Sequence, residues 1–152
     1  MTAAASPLGV TEMEVRVLQW AADGLTARQA ARDCMFRPRT LRAYLYQAGR
    51  KLGVRGALPI VGAAYVFEVL PEPPAETGEP RLTPQQVRLL PLITQGKTYA
   101  QMAWLVGRSP AVVRHDFRNL TDVLQATTRP HLVTRLLEYR LVTVGEVRTW
   151  LS

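Results

Sequence analysis

Between Arg37 and Arg55, in RPRTLRAYLYQAGRKLGVR, the apolar residues Leu41, Leu45, Ala48 and Leu52 follow at spacings of four, three and four. That interval places them on one face of a helix. The opposite face carries Arg39, Arg42, Ala43, Tyr46 and Arg50, with Lys51 and Arg55 near the end and no acidic residue among them. Such a helix rests on a core with one side and offers positive charge to something anionic with the other. A merely solvated charged face normally mixes signs, so the pattern points to a helix that meets nucleic acid.

The same pattern occurs twice. Shifted by 72 positions, Val10–Val69 lies on Leu82–Leu141 without a gap. Gly24 falls on Gly96, Thr26 on Thr98, Pro38 on Pro110, Arg42 on Arg114 and Leu52 on Leu124. The apolar stripe of the second copy, Val113, Phe117, Leu120 and Leu124, keeps the spacing of the first. Each copy reads as four helices. The first helices span Thr11–Asp23 and Thr83–Gln95 and end at Gly24 and Gly96, where a left-handed cap is wanted. Pro91 should kink or split its helix. Thr26 and Thr98 are N-caps of short second helices, with turns at Met35–Arg37 and Gly107–Ser109. Pro38 and Pro110 open the long third helices, where proline is tolerated, and Ser109 is a better N-cap than Arg37. Fourth helices follow Arg55 and Thr127. A short helix, a turn and a longer helix bearing a polar face form helix-turn-helix geometry. The expected fold is therefore all-α: two tandem four-helix modules, residues 8–69 and 82–152, joined by a proline-rich linker at 70–81.

Charge sharpens the picture. The 152 residues carry a formal net charge of +7, and lysine is confined to Lys51 and Lys97. Arginine suits bidentate contacts to phosphate or guanine, although a GC-rich coding sequence would also enrich it. Cys34, the single cysteine, excludes an intrachain disulfide and aligns with Val106 as a small core residue of the scaffold helix. His115 and His131 have no partner at metal-ligand spacing, and no nucleophile–base pair or phosphate-binding glycine loop is visible. Neither an enzyme nor a cofactor is expected. The apolar run from Gly56 to Phe67 is too short to span a bilayer, and no secretion signal opens the chain, so a cytoplasmic location is expected.

The first copy resembles the LuxR/GerE-type DNA-binding domain. The resemblance rests on Thr11 and Glu14, the Gly24-Leu25-Thr26 turn, Ala31, the run Arg39-Thr40-Leu41-Arg42 and, most specifically, Arg50-Lys51-Leu52-Gly53-Val54. It covers residues 8–69 well and 81–141 more weakly. It implies groove-facing positions at Arg42, Ala43 and Tyr46, matched by Arg114, His115 and Arg118, and phosphate contacts at Thr40 and at Lys51 or Arg55. It also implies dimerisation through the fourth helix, placing Ile60, Ala64 and Phe67 against Leu132, Leu136 and Tyr139. Those residues could pair within one chain or between two, or serve only as core. The second copy departs from the pattern at Val112, Asp116 and Asp122, and Met35 replaces a turn glycine in the first. Two carboxylates on the second recognition helix would repel phosphate.

The linker, LPEPPAETGEPR, is extended in character. At about 3.1 Å per residue it reaches roughly 37 Å, close to the ~34 Å between successive turns of one major groove. Residues 1–7 are expected to be disordered, and the tail after Leu141 to add a short helix on the second copy. Together these features point to a regulator that reads double-stranded DNA through two modules, paired within the chain or as a homodimer. A second module turned to RNA polymerase, a sigma factor or another regulator is the alternative, and a sequence-indifferent architectural binder a third reading.

Overall fold

The computed structural model describes residues 8–152, so the expectation for residues 1–7 lies outside it. Among the described residues all regular structure is helical: α1 (Glu12–Ala22), α2 (Ala27–Arg32), α3 (Pro38–Leu52), α4 (Ala57–Val66), α5 (Pro84–Thr94), α6 (Tyr99–Val106), α7 (Pro110–Leu124), α8 (Arg129–Glu138) and α9 (Val144–Leu151). The ends of α1, α3 and α4 recur 72 positions later as those of α5, α7 and α8. Thr11, Thr26, Thr83 and Thr98 each close a capping box with the Glu or Gln three residues on. Only the second helices differ in length. Gly107 caps α6 at a left-handed φ of 69°, whereas Met35 stands at the matching position and α2 stops two residues earlier. Cys34 consequently lies in the turn after α2, half-buried, and not on the helix.

Pro91 neither splits nor ends its helix; α5 runs unbroken from Pro84 to Thr94. The missing N–H forfeits one backbone hydrogen bond, while Leu89, Leu90 and Ile93 are buried around it and hold the helix in place.

One hydrophobic core serves both copies, with a small satellite at Val17, Ala30 and Leu41. At its centre is α4, in which every residue from Leu58 to Val66 is buried. A helix apolar on all sides must be covered on all sides: α8 and α9 pack against it most extensively, and α1, α3 and α5 complete the cover. Tyr65 on α4 shares a buried 2.7 Å hydrogen bond with Thr134 on α8, and burial pushes its phenol up to about 12. The contacts between the copies are reciprocal. α1 meets α8 as α5 meets α4. A side chain at Gly24 would collide with Thr127 and lie 2.6 Å from His131, while one at Gly96 would lie 3.0 Å from Pro59, the residue that matches His131 in the other copy. Contact of i with j and of j with i is the mark of two-fold packing.

The tail helix α9 sits on α4 and α5 together, and so not on the second copy alone. Gly62 makes the approach possible: a Cβ there would stand 3.2 Å from Val147 and 3.3 Å from Leu151. The linker does not run free between the copies. Glu76 N–H donates to the carbonyl of Glu138 at 2.9 Å. Arg140 donates to the Pro73 carbonyl at 3.1 Å and pairs with Glu72 at 3.8 Å. These contacts dock it along the end of α8, so its full reach is not used.

Candidate nucleic-acid interface

Helix α3 owes its direction to both ends. Pro38 sets the first turn, Arg37 supplies no side-chain cap, and Gly53 stops the helix at a φ of 79°. Leu41, Ala48 and Leu52 are buried beneath it, and Leu45 packs beside them. This leaves Arg39, Arg42, Ala43, Tyr46 and Arg50 exposed together on the far side, with Tyr46 at 57%. Arg55 is exposed just beyond the helix and Thr40 is half-buried at its start. None of Arg39, Arg42, Arg50 or Arg55 is held in an ion pair among the described residues. These guanidinium groups keep their donors free for phosphate or base edges.

Lys51 is different. Its Nζ lies 2.6 Å from Glu14 Oε1 and donates to the Gly9 carbonyl at 3.0 Å. Glu14 is almost fully buried and also accepts from Thr11 N–H at 2.8 Å. Burial alone would raise its carboxyl, but the Lys51 hydrogen bond and charge and the Thr11 N–H hold it below the usual carboxylate range. Lys51 thus ties the end of α3 to the start of α1. In the second copy Gln86 and Val123 occupy the two positions. Gln86 is buried and keeps the capping box, so there the pair has been replaced by neutral groups at both ends.

On α7, Arg114, His115 and Arg118 are exposed. Arg114 lies 5.2 Å over the Tyr99 ring, and Arg129 covers the same ring at 5.1 Å while donating to its hydroxyl at 2.9 Å. His115 shares a 3.1 Å contact with Asn119. Asp116 is half-buried in a crevice with Arg88 and Arg108, and Asp122 is exposed. Tyr99, which positions Arg114, went unnoticed in the sequence; its signal was the alignment with Ala27, the one large-for-small exchange at the head of the second helices.

Of the residues expected at a module interface, Ile60, Ala64, Leu132 and Leu136 are buried in the shared core to which α4 and α8 contribute, but Ile60 lies against the bare Cα of Gly49 on α3, within its own module. Tyr139 packs at the edge of the same core and accepts a 2.8 Å hydrogen bond from Arg135. Phe67 does not join them. It is the C-cap of α4 and half exposed, because the helix ends before its side chain can turn inward.

A short helix, a turn and a long helix with an acid-free basic face define a helix-turn-helix module of the DNA-binding class. Residues 9–63, from before α1 into α4, match the family model of bacterial regulatory proteins, luxR family. Over those residues the chain is accordingly similar to the helix-turn-helix domain of that family of DNA-binding regulators. No curated protein and no solved structure matches the chain. Among the described residues, no helix is long and apolar enough to cross a membrane.

Proposed function

We propose that the chain is a sequence-specific regulator of transcription acting in the cytoplasm, in which two helix-turn-helix modules form a pseudo-dimer within one polypeptide and present α3 and α7 to double-stranded DNA. The observation that carries this reading is the exposed, unpaired arginine face of α3. Arginine contacts to phosphate supply affinity, and Arg42, Ala43 and Tyr46 supply sequence choice. The reciprocal packing of α4 and α8 supports the intrachain pair over a homodimer, since the surface through which a partner would dock is already covered. The reading includes no catalytic step and no cofactor.

Selection of bound sequences from a random duplex pool, with the full chain at near-physiological salt, tests it. A motif of two half-sites about ten base pairs apart is expected. Arg42→Ala should weaken specific binding by roughly 1–3 kcal/mol. Wild-type affinity in that variant would refute the assignment of α3. Recovery of no motif, with a steep salt slope on unrelated duplexes, would favour an architectural binder.

A second reading assigns the second module to a protein of the transcription machinery. It is favoured by Trp104, 84% exposed on α6 beside an exposed Leu105, since an unburied tryptophan is a common anchor of protein interfaces. Because the copies share a core, the test uses the full chain. Arg114→Ala/Arg118→Ala should cost DNA affinity if α7 reads DNA, and should leave it unchanged if the second module serves a protein.

A further inference from the structure

The two copies differ where the first contains an open cleft. A cavity of about 300 Å³ opens between α1, α2, the start of α3 and the N-terminus of α8. Its wall includes Trp20, Leu25, Ala27, Ala30 and Leu45, with Arg42 and Thr128 among its few polar groups. At the matching positions of the second copy, Ala27 becomes Tyr99, Ala30 becomes Met102, Leu45 becomes Phe117 and Ala57 becomes Arg129. Those larger side chains pack on one another there: Tyr99 meets Phe117 edge-on at 5.7 Å, and Arg129 lies over both rings. What the second copy fills with its own side chains, the first leaves open. An unfilled apolar space forfeits dispersion contacts and costs stability.

The volume lies at the small end of the range for ligand sites, and the lining, apolar with a few convergent polar groups, is of the kind such sites have. Among the described residues, no carboxylate lines it. Among the same residues Arg42 has no acidic partner and is the only charged lining group. We propose that this cavity binds a small aromatic carboxylate, its ring against Trp20, Ala27 and Ala30 and its carboxylate on the Arg42 guanidinium. In the second copy the matching space holds an aromatic ring, Tyr99, with the matching arginine, Arg114, 5.2 Å over its face, so an aromatic ring fits beside an arginine at this place in the fold. Binding draws Arg42 away from the DNA face and bridges the first module to α8 of the second. That consequence rests on the DNA reading; the site itself does not.

The test is isothermal titration of the full chain with 2-naphthoate, and with 2-naphthalenemethanol as the uncharged counterpart. Saturable binding of the acid with a Kd below about 1 mM is expected, with the alcohol weaker. Ala27→Tyr/Ala30→Met, which fills the hole with residues of the second copy, should weaken the acid by at least about tenfold. Arg42→Gln, a change at an exposed side chain that leaves the fold intact, should weaken the acid about fivefold or more and leave the alcohol unchanged. Absence of saturable heat with the wild-type chain overturns the proposal, as does equal binding of acid and alcohol, or unchanged affinity in Arg42→Gln. Should the filled variant fail to fold by circular dichroism, the Arg42→Gln comparison decides alone. Absence of DNA binding by the wild-type chain, with naphthoate binding intact, would count against the DNA reading and not against the site.

Discussion

Replacing Lys51 by valine, the residue its position carries in the second copy, separates a structural role from a DNA-contacting one. The substitution removes a 2.6 Å charge-assisted hydrogen bond to a carboxylate that is 1% exposed. Such bonds contribute roughly 1.5–3 kcal/mol, and because Lys51 itself is 33% exposed, solvent screening favours the lower part of that range, about 2 kcal/mol. For a chain of this size each kcal/mol moves Tm by about 2–4 °C, so Lys51→Val should melt roughly 4–8 °C lower. Glu14→Gln/Lys51→Val recreates the Gln86 and Val123 arrangement, in which a neutral side chain keeps the capping box. It should recover about 1 kcal/mol or more of that loss, a coupling that a double-mutant cycle in urea measures directly. Acid dependence gives an independent reading. The folded carboxyl of Glu14 titrates below its ordinary value of 4.5, so its contribution is complete above that value and is lost as pH falls through the lower folded one. Lys51→Val should flatten this part of the stability profile. Unchanged stability together with a loss of DNA affinity as large as that of Arg42→Ala would refute the reasoning and return Lys51 to the phosphate backbone.

Gly24→Ala should be among the most damaging single changes, because its φ of +86° excludes a side chain and the new methyl would strike Thr127 and His131; a loss of about 3 kcal/mol or more in urea unfolding is expected. Leu136→Ala empties part of the shared core and should cost about 2–5 kcal/mol, with fluorescence and circular dichroism still reporting one transition, since the main core is common to both halves. His131 faces Asp23, Arg135 and Glu138. It accepts from Thr127 N–H through Nδ1 at 3.1 Å. Burial first, and the charge of Arg135 second, hold its imidazole below the ordinary 6.5. Its contribution is therefore present above 6.5 and lost as pH falls through the folded value. Thermal melts between neutral pH and about pH 5 should show that loss, and His131→Asn, which keeps an acceptor without a titrating ring, should remove it.

Local grammar carried much of this fold into the sequence. Thr followed three residues later by Glu or Gln marks five helix starts, and each is capped as those residues require. The leucine stripe of α3 and the arginines behind it fall where the spacing places them. What could not be read depends on partners distant in the chain. Nothing near Lys51 announces that its ammonium is taken by Glu14, 37 residues away. The solid apolar character of α4 announced that it would be covered, but not that α8 and α9 would share the task, a choice that turns on the bare Cα of Gly62. Pro91 forbids a hydrogen bond locally and is overruled by burial that only the tertiary fold supplies. Phe67 extends an apolar run in the sequence, yet the end of the helix decides where it points.

The closure of α4 against α8 within one chain changes how such a pair answers to dilution. Two separate subunits fall apart as their concentration drops, so their occupancy of a paired site depends steeply on how much protein a cell holds. Halves joined by a short peptide remain assembled at any concentration, at an effective molarity set by the tether and the packing. Neither half is bound to resemble the other, either. A subunit of a true homodimer must present the same surface twice, whereas here Glu14 and Lys51 could give way to Gln86 and Val123 on one side alone. On the proposed function, a pair of this kind is free to read two unlike half-sites, or to keep one face for DNA and turn the other elsewhere.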